Sequence, residues 1–231
     1  MARMHFVLLP GAGGAAWYWH RVVPLLEAAG HTATAVDLPG DDESAGLPAY
    51  TALALAAAQG HDEVVLVGQS LGGFTAPLAA QALVAAGSPP RALVLVNAMV
   101  PVPGETPGEW WEAVGHEQAR VDAAREGGWP VDFDLDSHFL HDVDTAVVAA
   151  GEQHQRVEAA AVFASTCDLT AWPDVPTHVI CGADDRFFPL AFQQRVARER
   201  LGVEPLVVPG GHLVALSQPR ALAQALLDVV G

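Results

Sequence analysis

The sequence predicts an α/β fold: a mainly parallel sheet of about six strands with helices on both faces. Three observations carry that prediction. Short apolar runs alternate with helical stretches through residues 1–98 and 175–231. Of the 231 residues, 51% are hydrophobic, enough for one sizeable core. A Gly-x-Ser-x-Gly pattern, Gly68-Gln69-Ser70-Leu71-Gly72, falls between an apolar run and an alanine-rich helical run.

Taken in order, His5-Phe6-Val7-Leu8-Leu9 reads as the first strand, over 5–9. Pro10-Gly11-Ala12-Gly13-Gly14 follows, a loop whose glycines let successive N–H groups turn into one concavity. Trp17-Tyr18-Trp19 opens a helix expected over 17–29. Strands at 32–37, 63–68 and 91–97 are separated by helices at 50–59 and 71–86. From 99 to 174 the alternation stops: 109–125 and 145–164 read as helical, with Trp129-Pro130-Val131-Asp132-Phe133 between them. That stretch is expected to be a helical lid inserted into the 1–98 and 175–231 core. The pattern then resumes with strands at 177–181 and 204–208 and helices at 191–201 and 219–230.

Ser70 lies at a strand-to-helix turn so tight that its neighbours two positions away must be small, which Gly68 and Gly72 are. A serine hydroxyl needs a base, most often a histidine oriented by a carboxylate. Ten histidines are available, and position selects His212. It follows the last strand and the flexible Pro209-Gly210-Gly211, and precedes the final helix, at the sheet edge where Ser70 must lie. The acid should leave the strand before, where Asp184 and Asp185 stand side by side; spacing alone does not separate them. An oxyanion site takes one donor from the residue after the nucleophile, here the Leu71 amide.

The formal charge is −16, and all the basic residues are arginine. A surface this acidic disfavours nucleic acid and anionic membranes as partners. No run is long enough to span a membrane, and the N-terminus enters the first strand directly, so no secretory signal is expected. Cys167 and Cys181 read as free thiols of a cytoplasmic protein. His138 and His141 are three apart but lack a third ligand, so no metal and no cofactor are expected.

These residues resemble the α/β-hydrolase superfamily along nearly the whole chain, and most of all its plant-type methylesterase and hydroxynitrile-lyase branch. Gly182-Ala183-Asp184-Asp185 followed by Pro189 is similar to that family's acid turn and selects Asp185. Pro209-Gly210-Gly211-His212 resembles its histidine loop, and Asp37-Leu38-Pro39-Gly40 the loop after its second core strand. The resemblance implies Ala12 as the second oxyanion donor. The branch carries histidine where this chain has Pro10, a side chain that is not catalytic in the family, and often histidine where it has Gln69. The family's leading antiparallel hairpin has no counterpart before residue 5.

The expectation is thus a serine hydrolase acting on a small, largely apolar ester through an acyl-enzyme. Trp110, Trp111, Trp129, Phe133, Phe139 and Phe163 of the lid, with Trp17 and Leu213 of the core, are the candidate pocket lining. Three alternatives share the fold: a hydroxynitrile lyase, a cofactor-free haloperoxidase and a ligand receptor with little turnover. Leu213, where some lyases place lysine, and Gly11, where they carry threonine or asparagine, favour the esterase. Physiological substrate and oligomeric state are not written in the sequence.

Overall fold

The computed structural model describes residues 2–231. Six strands form one sheet: β1 (His5–Leu9), β2 (Thr32–Ala35), β3 (Val64–Gln69), β4 (Ala92–Val96), β5 (Thr177–Gly182) and β6 (Leu206–Val208). All pairings are parallel, in the order β2-β1-β3-β4-β5-β6. The central strands β1, β3 and β4 are buried along their whole length. That is why they read as unbroken apolar runs rather than alternating ones.

Alternate residues feed two cores. Val7, Leu9, Leu66, Leu93 and Leu95 pack on one face with α2 (Leu47–Ala58), α3 (Gly72–Ala85) and α8 (Leu190–Leu201). Phe6, Leu8, Val65, Val67 and Val94 pack on the other with α1 (Val23–Ala28), α9 (Val214–Ser217) and α10 (Pro219–Val230). Strand order reverses direction between β1 and β3. The crevice beyond the carboxyl ends of those two strands is where an open parallel sheet offers a ligand site. The loops carrying Ala12 and Ser70 flank it.

Several expected elements are divided. The helix expected over 17–29 is a 3₁₀ turn at Ala16–Trp19 followed by α1, which Pro24 opens at its first turn. The helix expected over 109–125 is α4 (Pro107–Ala113) and α5 (His116–Gly127), broken where Gly115 adopts φ 62°. A capping box between Thr106 and Glu109 starts α4. The stretch 145–164 is α6 (Thr145–Gly151), capped by Asp144, then a 3₁₀ turn at Glu152–His154, an extended piece and α7 (Ala160–Phe163). Strands β2 and β6 are shorter than 32–37 and 204–208.

Candidate active site

Ser70 sits between β3 and α3 with φ 51°, one of two non-glycine residues in the left-handed region among the described residues, the other being Asn97. The turn closes because its flanks lack side chains. A Cβ on Gly68 would lie 2.4 Å from the Gly72 carbonyl oxygen, and one on Gly72 would lie 2.8 Å from that of Pro10.

His212 Nε2 lies 3.0 Å from Ser70 Oγ, and His212 Nδ1 lies 2.8 Å from Asp185 Oδ2. With the proton on Nδ1 directed at Asp185, Nε2 is free to accept the serine proton. All three side chains are buried, His212 completely. The adjacent aspartates part company here. Asp184 is exposed and accepts from the Gly210 amide at 3.1 Å, whereas Asp185 turns inward. Asp185 Oδ1 accepts from the Phe187 and Phe188 amides at 2.9 and 2.8 Å, which leaves Oδ2 for the imidazole and for Gln193 Nε2 at 3.3 Å.

Phe139, Phe187 and Phe188 stand edge-on around the imidazole, their ring centroids 4.8, 5.2 and 4.9 Å from its own. Such a wall excludes water and strengthens the charge interactions inside it. Ser70 and His212 open onto a cavity of about 300 Å³ that Ala12 and Leu71 also line. Two amides there could meet an oxygen bonded to the carbon that Ser70 attacks. The neighbouring Gly13 amide donates to the Glu158 carboxylate, to which the Tyr50 hydroxyl also donates.

Of the expected lining residues, Trp111, Phe139, Phe163 and Leu213 face this cavity. Trp110 and Trp129 do not. Trp110 is fully buried in the core, its Nε1 donating to the Val100 carbonyl at 3.1 Å. Trp129 lies under the Arg186 guanidinium, 4.9 Å from the ring centroid. Phe133 is largely exposed, and Trp17 belongs to an adjoining chamber. Tyr18, Met99 and Phe187 line the Ser70 cavity without having stood out in the sequence. Burial pushes the Tyr18 phenol far above its usual range, so it is present as the neutral hydroxyl, accepting from the Ala215 amide at 3.3 Å.

Asn97, which follows β4, was not legible as a site residue. It is fully buried, and its Oδ1 accepts from the Gly182 amide at 2.6 Å. Gln69 Nε2 donates to the His212 carbonyl at 3.3 Å, a physical role for the residue at the family's frequent histidine position. No group of three or more His, Cys, Asp or Glu positioned to hold a metal ion occurs among the described residues. His138 is instead a buried staple between Arg120 and the Asp134 backbone.

A model of the Alpha/beta hydrolase family matches residues 6–225. Norfluorocurarine synthase 1 of Strychnos sp is 25% identical over 97% of this chain and 94% of its own length. Methylesterase 3 of Arabidopsis thaliana is 35% identical over 51% of this chain and 48% of its own. Among solved structures, polyneuridine aldehyde esterase superposes with a TM-score of 0.79 over 100% of both chains, at 22% identity, a likeness of fold.

Proposed function

Since this chain belongs to the alpha/beta hydrolase family, we propose that it is a carboxylic ester hydrolase with Ser70 as nucleophile, His212 as base and Asp185 as the acid orienting it. The observation that carries this reading is the Asp185–His212–Ser70 relay, with contacts of 2.8 and 3.0 Å at the floor of a largely apolar cavity.

His212 Nε2 takes the Ser70 proton as Oγ attacks the ester carbonyl. The amides of Ala12 and Leu71 hold the oxygen as it becomes negative. His212 then gives its proton to the leaving alcohol, and an acyl-serine remains. Water, deprotonated by the same imidazole, adds to the acyl carbonyl; the bond to Ser70 Oγ then breaks, the imidazolium returns its proton to Oγ, and the acid is released. Asp185 accepts the Nδ1 hydrogen bond throughout and stabilises the transient imidazolium.

Residues 99–174 act as a lid over the 1–98 and 175–231 core. Trp111, Phe139 and Phe163 of that segment face Ser70, and Glu158 joins it to the loop after β1. The substrate is a small molecule with an apolar portion against these rings and Leu213. Relatives named esterase and methylesterase agree with the reading. A lyase acting on cyanohydrins is less favoured, because no lysine or arginine lines the cavity to hold a cyanide anion and Leu213 stands beside the imidazole. The chain acts in the cytoplasm: Cys167 and Cys181 are both unpaired, as a reducing compartment keeps thiols. No helix of the described residues is long and apolar enough to cross a membrane.

The test is hydrolysis of short and medium p-nitrophenyl esters, with fluorophosphonate labelling of wild type and Ser70→Ala. Activity and label should both vanish in the variant. A wild-type protein that takes no label overturns the reading and leaves a receptor.

A further inference from the structure

A second chamber, of about 290 Å³, adjoins the Ser70 cavity, and the two share Ala12, Ala15, Tyr18, Phe139 and Leu213. The acyl-transfer geometry makes no use of it. Its far wall is aliphatic, with Val143 on the approach to α6, Val147 and Val148 on that helix, and Leu216 of α9.

Trp17 closes one side with a fixed indole. The ring stacks on His20 at 4.3 Å, 22° between planes, and on His154 at 5.3 Å and 13°. Gly151 passes so close that a Cβ there would lie 2.9 Å from the indole. The Arg156 guanidinium at the rim is held by Asp37 at 2.6 Å, so its charge already has a partner. The chamber therefore suits an uncharged, apolar, flat group.

Size supports the same conclusion. Each cavity alone sits at the lower edge of the roughly 300–1,000 Å³ range of small-molecule sites, while the joined pair suits a larger ester. The Ser70 cavity must also hold the reacting carbonyl, which leaves the second chamber as the place for a bulky group. We propose that the second chamber is the subsite for the bulky half of the substrate, an aromatic or polycyclic group lying against Trp17, while the carbonyl and the small half stay at Ser70. This rests on the ester-hydrolase reading of Ser70. Binding energy gained away from the reacting carbonyl then raises kcat/KM for bulky esters over small ones.

The test fills the chamber from α6 with Val148→Trp, and with Val147→Trp as a second variant on the same helix. Variants are compared with wild type on ethyl acetate, 2-naphthyl acetate and methyl 2-naphthoate, so intrinsic ester reactivity cancels. The expected result is a fall in kcat/KM of about tenfold or more for at least one naphthyl ester, with ethyl acetate nearly unchanged. Both naphthyl esters unaffected, or ethyl acetate falling in step with them, overturns the proposal.

If wild type turns over no ester, the chamber is read from binding instead, by fluorescence titration of 2-naphthol into Ser70→Ala. Binding that Val148→Trp abolishes supports the subsite and places the failure in the ester-hydrolase reading. Absence of binding overturns the subsite as well.

Discussion

The Asn97 side-chain amide donates to the His212 carbonyl at 3.1 Å and to the Gly211 carbonyl at 3.0 Å. Its carbonyl oxygen meanwhile accepts from Gly182, three residues before Asp185. One buried side chain thus ties the strand end that leads to Asp185 to the loop that carries His212. Asparagine tolerates the φ of 42° found there better than most side chains. Asn97→Asp keeps the shape and the acceptor for Gly182 but turns a carboxylate towards two carbonyl oxygens. We expect kcat for ester hydrolysis to fall about 10- to 100-fold with little change in KM, since a small displacement of His212 is enough to produce such losses. An unchanged kcat would mean that the histidine loop holds its own position.

Asp185→Asn tests the orientation of the imidazole separately from its presence. The amide can donate where the carboxylate accepted, so the tautomer with its proton on Nε2 becomes favoured and the Ser70 proton has no acceptor. A fall in kcat of about 10³- to 10⁴-fold is expected near neutral pH. Asp184→Asn, on the exposed side of the same turn, should stay near wild type. Equal losses in the two variants would argue for a fault in the turn rather than in the tautomer.

These residues were not equally legible in the sequence. β1, β3 and β4 stood out because both their faces are buried, which leaves unbroken apolar runs. Ser70 and His212 lie on loops whose place is fixed by the strands before them. Trp110 and Trp111 are a different case: adjacent indoles diverge, one into the core and one onto the cavity, and a helix of seven residues is too short for its apolar period to separate them. The break at Gly115 hid inside a helical pattern because a single glycine is tolerated in helices. Asn97 and Glu158 hold backbone groups 115 and 145 residues away in the chain, contacts that no local pattern encodes.

His116 makes stability depend on pH. It is packed among Trp110, Trp111, Phe187, Phe188 and Phe192, and its Nε2 donates to the Phe187 carbonyl at 2.8 Å. Burial is the main cause that lowers its pKa from 6.5 to about 4. Between those values the unfolded chain binds the proton and the folded one does not, so stability falls as pH drops from 6.5 towards 4. The loss should be on the order of 3 kcal/mol, at about 1.4 kcal/mol per unit. Urea titrations across this window should show it, and His116→Phe should flatten the slope.

Glu158 acts in the opposite sense and closer to the chemistry. Burial raises its pKa above the ordinary 4.5, against the lowering effects of the Tyr50 and Gly13 hydrogen bonds and the Arg156 charge. The folded protein therefore holds this proton more tightly than the unfolded chain, and ionising Glu158 costs stability as pH rises from 4.5 through the folded value. Glu158→Gln abolishes that titration and keeps an acceptor for the Gly13 amide, so it should fold at least as well near neutral pH and retain activity. Glu158→Ala removes the acceptor and frees the amide next to Ala12. If the loop after β1 depends on that anchor, Glu158→Ala should lose about tenfold in kcat with a small change in KM, while Glu158→Gln should not. Equal kcat in the two variants would show that the loop's glycine turn is rigid without the carboxylate.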